Sequence, residues 1–146
     1  MKKLLLALAL ASTAITPAFA QEAAAPESAG MLNLELNTKA DLEGGACRLT
    51  YVVDNGTEAD LQNLTYEVAI FNASGAVSNM LLMEFGAIAA GKTRVIQFDV
   101  ANQGCSDVSR ILVNNQVDCA TADGASTMCL DRLATRTLVE GLEFTH

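Results

Sequence analysis

From Met31 onward apolar and polar residues alternate with period two, and turn residues break the alternation at regular intervals. That pattern belongs to half-buried β-strands, whose successive side chains point to opposite faces. Leu32, Leu34 and Leu36 alternate with Asn33, Glu35 and Asn37 in a first strand ending before a turn at residues 41–45. Cys47, Leu49, Tyr51 and Val53 share the inner face of a second, against Arg48 and Thr50. After the polar Asp54-Asn55-Gly56 loop, Leu64, Tyr66, Val68 and Ile70 line the inner face of a third. Asn72-Ala73-Ser74-Gly75 then turns the chain, since Asn and Gly tolerate positive φ.

A more continuously apolar fourth strand spans residues 77–85, and Ile96, Phe98 and Val100 face inward on a fifth. A sixth is expected at residues 109–113 and a last one at 137–144. Between them the pattern loosens, with a short helix at residues 126–133 for which Ser126 is the candidate N-cap. Six or seven short strands with almost no helical periodicity predict an all-β fold, an immunoglobulin-like β-sandwich of about seven strands with an irregular C-terminal segment.

Ahead of this domain the pattern is different. Lys2 and Lys3, an apolar run over residues 4–15, and Ala18-Phe19-Ala20 match the three parts of a secretory signal peptide, cleaved after Ala20. The apolar run is too short to span a bilayer, and Thr13, Thr16 and Pro17 interrupt it. Residues 21–30 are small and polar and read as a flexible linker, so the division is signal peptide 1–20, linker 21–30 and β-sandwich 31–146.

Charge narrows the partners. Cleavage removes two lysines and no acid, which moves the formal net charge from −8 to −10. A strongly acidic domain lacks the basic face that nucleic acid and anionic membrane surfaces demand. The cysteines bear on the compartment. Cys47, Cys105, Cys119 and Cys129 are even in number in an exported chain, so two disulfides are expected in an oxidising compartment. Three pairings are open. The preferred one joins Cys119 with Cys129 across a short loop and Cys47 with Cys105 from an early strand to a late segment, each bridge contributing about 2–4 kcal/mol.

Few residues are equipped for catalysis. The single histidine is the terminal His146, so a nucleophile–base pair has no base, and no Cys-x-x-Cys, phosphate loop or haem or zinc ligand set is present. Asp54, Glu58 and Asp60 cluster in one loop without EF-hand spacing and read as a solvated turn rather than a calcium site. Asn55, Asn63 and Asn72 stand in Asn-x-Ser/Thr sequons that read as turn chemistry. No cofactor, metal or catalytic residue is expected. One feature suggests recognition: Met80, Leu81, Leu82, Met83 and Phe85 put apolar residues on both faces of one strand, with Leu81, Met83 and Phe85 as the candidate interaction surface. The competing reading is a central strand covered on both sides.

Residues 49–100 carry a family resemblance. A strand leading into Asp54-Asn55-Gly56, then Leu64-Thr65-Tyr66-Glu67-Val68-Ala69-Ile70-Phe71, Gly75, and the Ala90-Gly91-Lys92 turn ahead of Ile96-Gln97-Phe98 resemble the FxLYD-like immunoglobulin modules of exported bacterial proteins. Over the whole chain, Leu32 to Asn37, Ala46-Cys47-Arg48, Gly104-Cys105, Arg110 to Asn114, Cys119 and Cys129 look like a family of α-proteobacterial periplasmic proteins without a known activity. The resemblance implies a periplasmic location and brings no catalytic residue. The expectation is a non-catalytic domain with a protein-interaction or accessory role in the cell envelope, its partner an envelope protein. The alternatives are a small-ligand or metal-ion module and, further off, a carboxylate-based enzyme.

Overall fold

The computed structural model describes residues 29–146, so the expected signal peptide and most of the linker lie outside the described residues. Among the described residues nine strands form two sheets, and together they make a β-sandwich. In chain order they are β1 Leu32–Leu42, β2 Ala46–Asn55, β3 Asn63–Phe71, β4 Val77–Glu84, β5 Thr93–Val100, β6 Arg110–Thr121, β7 Gly124–Ala125, β8 Leu133–Thr137 and β9 Glu143–Thr145. The first sheet has the order β5-β2-β1-β8. The second runs β4-β3-β6, and β7 and β9 both pair with β6. Since β3 pairs with β6 from Arg110 to Ala120, β7 at Ala120–Thr121 and β9 at Arg110–Leu112 occupy opposite ends of its other edge.

Strict alternation decides which residues meet between the sheets. Leu34, Leu49, Tyr51, Leu64, Tyr66 and Ile70 are all buried. At the centre the Tyr51 ring lies edge-on to Phe85, Phe98 and Phe144, with centroids 5.8, 6.0 and 5.6 Å away. Tyr66 meets Phe85 in the same manner at 5.9 Å. Edge-to-face contacts of this kind use the ring quadrupole as well as buried area.

Disulfides join Cys47 to Cys105 and Cys119 to Cys129. The first ties β2 to a 3₁₀ turn, Cys105–Asp107, which is also fastened to the end of β1: the Cys105 amide donates to Asp41 Oδ1 (2.7 Å) and Lys39 Nζ donates to the Cys105 carbonyl (2.9 Å). The second ties β6 to a single helical turn, α1, Met128–Asp131. The Tyr66 hydroxyl donates to the Cys129 carbonyl, so this irregular segment is anchored to the core by a covalent bond and a buried hydrogen bond.

Several elements differ from expectation in extent. β1 continues to Leu42 through a bulge at Asn37, which shifts the register with β2. β6 is twelve residues long because two bulges, where Asn114 and Val117 are left unpaired with β3, break its alternation without ending its hydrogen bonding. The expected last strand is in fact two: β8 runs parallel to β1 in the first sheet, and a turn with Gly141 at φ 73° leads into β9 in the second. The helix is shorter than expected and its N-cap is Thr127, although Ser126 Oγ accepts the Met128 amide (3.2 Å).

Candidate functional site

The face proposed from sequence at Leu81, Met83 and Phe85 is turned inward. Met83 and Phe85 are each 1% exposed, and Leu81 is half-buried against the core. The reason is register: Leu81 stands opposite Val68 and Met83 opposite Tyr66, both core residues of β3. Phe85 keeps that direction because its amide donates to the Leu64 carbonyl (2.8 Å), which extends the β3 contact past the end of β4. The competing idea of a central strand also fails, because β4 is at the edge of its sheet.

The apolar side chains of β4 that reach solvent farthest are one residue out of phase with Leu81, Met83 and Phe85; away from β4, Val95, Val117, Leu130 and Leu138 are exposed as well. Met80 stands opposite Ala69 and Leu82 opposite Glu67, on the outer face of the second sheet. They are 49% and 61% exposed, and Val77, opposite Phe71, is 53% exposed. Leu112 on β6 flanks Ala69 from the other side, so an apolar strip crosses three strands: Met80, Ala69, Leu112. Glu84 held the clue in the sequence. A carboxylate at the end of the strand belongs outside, and Leu82 and Met80 share its parity.

The strip ends at a cleft of about 390 Å³ lined by Phe71, Gly75, Ser109, Arg110, Gly141 and Glu143. The Arg110 guanidinium lies over the Phe71 ring, Cζ 3.7 Å from the centroid, a cation–π arrangement. Ser109 Oγ is committed to the backbone and donates to the Asn72 carbonyl at 2.6 Å. Gly75 and Gly141 adopt φ of 82° and 73°, which lets two tight turns form the rim.

The acidic loop after β2 is a braced turn. Asn55 is fully buried; its Nδ2 donates to the Ala59 and Ile88 carbonyls, and its Oδ1 accepts from the Thr57 amide and hydroxyl. Asp54 accepts from Thr93 Oγ1 and Asp60 from the Ala90 amide, each carboxylate turned to a different partner. Among the described residues no group of three or more His, Cys, Asp or Glu side chains converges to hold a metal ion. Asn72 likewise serves its own turn, with Oδ1 accepting the amides of Ser74 and Ala76. His146 Nδ1 lies 3.0 Å from Thr135 Oγ1.

The two tyrosines are placed differently. Burial pushes both phenols well above their ordinary value. Tyr66 has a carbonyl partner, whereas the Tyr51 hydroxyl has none among the described residues.

No protein-family model and no curated protein sequence matches the chain. A solved structure, that of IrmA from Escherichia coli, matches with a TM-score of 0.56 at 13% sequence identity, covering 73% of this chain and 91% of IrmA. At that identity the likeness is one of fold: the chain shares an all-β architecture with IrmA.

Proposed function

We propose that this chain is an exported, periplasmic β-sandwich of the FxLYD-like kind, without a catalytic role, that works in the cell envelope by binding protein through the outer face of its second sheet. The observation that carries this reading is the apolar strip of Val77, Met80 and Leu82 on an edge strand, continuous with Ala69 and Leu112. Contiguous apolar surface is costly to leave in water and marks contact surfaces. Met80 suits such a role because its unbranched thioether adapts to the shape of a partner. Export is supported by the leader pattern and by the two disulfides, which persist in oxidising compartments.

Affinity capture from periplasmic extract tests the reading, with wild type compared to Met80→Asp and Leu82→Asp. Both variants should lose the partners that the wild type retains. Recovery of the same partners would show that this surface is not the one used. The mature protein should begin at Gln21, which its intact mass reports.

A second reading, a small-ligand module, has one observation in its favour. The cleft beside the strip presents the Arg110 guanidinium, fixed by Phe71, to a space of about 390 Å³, and an Arg fork recognises carboxylates. Arg110→Ala separates the two readings: it should abolish binding of a small carboxylate and leave protein capture unchanged.

A further inference from the structure

We infer that the protein seated on β4 is a second copy of this chain, paired antiparallel edge to edge across a two-fold axis near Met80 and Leu81. The inference rests on the reading that the β4 face is a protein-binding surface and names its occupant.

An exposed edge strand offers a row of unpaired N–H and C=O groups, and folded proteins ordinarily guard such edges with charge, proline, bulges or short length. The other edges of this sandwich are guarded. β5 carries Arg94 and Asp99, and Arg94 Nη1 is drawn over the rim to the Phe85 and Ala87 carbonyls (3.1 and 2.7 Å). β8 has only five residues, one of them Arg136, and the far edge of β6 is covered at both ends by β7 and β9. β4 is the exception: from Val77 to Met83 it holds neither a charge nor a proline. Its one irregularity, at Ser78, leaves Asn79 to Glu84 in unbroken register with β3.

The strand is also complementary to itself. In antiparallel pairing residues directly opposite share a face. With the axis at Met80, Met80 meets Met80 of the second copy, and with the axis at Leu81 it meets Leu82. In those registers Glu84 falls opposite Ala76 or Ser78, so the carboxylates never oppose each other. On the outer face the two apolar strips merge into one. On the inner face Leu81, Ile96 and Phe98 are half-buried at the rim between the sheets, and a second copy there covers them. Both copies use the same edge, so the association closes at two and leaves only guarded edges outside.

Salt separates a second copy from a cationic partner. Two chains of charge −10 repel, so screening should strengthen self-association, while it would weaken attachment of a basic protein. The test is sedimentation equilibrium on the purified mature protein at low and high salt, with Leu82→Lys and Met80→Lys in the strand and Val95→Lys on the β5 edge as the control. The expected result is a dimer that tightens with salt, is lost in both β4 variants, and is kept in Val95→Lys. Every second amide of Val77–Glu84, the set turned away from β3, should exchange slowly in the wild type and fast in Leu82→Lys. Unchanged far-ultraviolet circular dichroism shows that the variants remain folded. A wild type that stays monomeric at the highest attainable concentration overturns the inference, as does a dimer that survives both β4 lysines. If the protein is monomeric and Leu82→Asp still loses its captured partners, self-pairing is wrong and the protein-binding face stands.

Discussion

The two sheets share one core and differ in what their outer faces present to water. The first presents Arg48, Thr50, Gln97 and Asp99 on its outer face, where Arg48 and Asp99 form a two-pronged ion pair and Gln97 Nε2 donates to Thr50 Oγ1. Its exposed apolar residue on β5, Val95, is 65% exposed and stands opposite Val52, which on its other side stands opposite Glu35; Glu35 accepts from Asn37 Nδ2 and pairs with Arg136. The second sheet presents Leu82, Met80 and Val77 along an open edge. The two edge strands compared, β4 and β5, are each eight residues long, so strand length does not make the difference between them. What differs is the residues placed at outward parity, and the proposed protein-binding role of the second sheet rests on that difference.

The largest effects test the phase of β4, on which the contrast depends. Phe85→Ala should cost about 3–5 kcal/mol, since it opens a cavity among Tyr51, Tyr66 and Phe98. Leu82→Ala should change stability by no more than about 0.5 kcal/mol, as is usual for surface positions. Urea denaturation measures both. Equal losses would mean that β4 has no distinct outer face, and the contrast between the sheets would collapse.

This phase was only half legible in the sequence. Strands β2, β3 and β5 stood out because one face is apolar and the other polar: Cys47, Leu49, Tyr51 and Val53 are buried beside half-exposed Arg48 and Thr50. In β4 the two faces are both apolar, and periodicity cannot orient a strand whose two faces look alike. Only Glu84 breaks the tie. The second half of β6 was hidden for another reason, since its bulges reset the parity at Asn114 and Val117, and β8 was hidden by Thr135 and Thr137, which point inward where an apolar residue is expected. The Arg110 cleft left no mark in the pattern, because Phe71, Arg110 and Glu143 come together through pairings with β3 and β9 that are far apart along the chain.

Each sheet is also tied to an irregular segment by one bridge, and the loops differ in size. Cys47–Cys105 spans 58 residues and Cys119–Cys129 spans 10. Chain-entropy reasoning gives about 4 kcal/mol for the longer loop and about 3 kcal/mol for the shorter. Paired Cys→Ala variants of each bridge, compared by denaturant midpoint, should fall in that order. The reverse order would mean that the Cys119–Cys129 bridge acts by holding the native C-terminal segment in place rather than by constraining the unfolded chain.

One tyrosine belongs to each sheet, and they should respond differently to loss of the hydroxyl. Tyr66→Phe in the second sheet leaves the Cys129 carbonyl unsatisfied and should cost about 1–3 kcal/mol. Tyr51→Phe in the first removes a buried hydroxyl with no partner among the described residues and should be neutral or stabilising. Both phenols are raised by burial, so the folded state holds its protons where the unfolded chain releases them. Stability is therefore intact below the ordinary tyrosine value of about 10 and falls as pH rises through it. These are the chain's two tyrosines, and it has no tryptophan, so phenolate absorbance should appear together with loss of the fold. Phenolate appearing before unfolding would place one ring outside the core.

The smallest effect tests the polar side of the comparison. Arg48 Nε and Nη2 donate to Asp99 Oδ1 and Oδ2 at 2.7 and 2.8 Å, with both side chains more than a third exposed. The hydrogen bond from Arg48 holds the Asp99 carboxyl below its ordinary value; desolvation opposes it, and the Arg48 charge adds a lesser contribution in the same direction as the hydrogen bond. A depressed carboxyl stabilises the fold above the ordinary carboxylate range and loses that contribution as pH falls through the folded value. Wild type and Asp99→Asn should therefore differ slightly at neutral pH and converge in acid, and the difference should shrink in high salt because exposed pairs are screened. A difference that persists in acid and in salt would mean that Asp99 acts through packing. The outer face of the first sheet would then be held by shape, and the Arg48–Asp99 ion pair would no longer be what distinguishes it from the face proposed to bind protein.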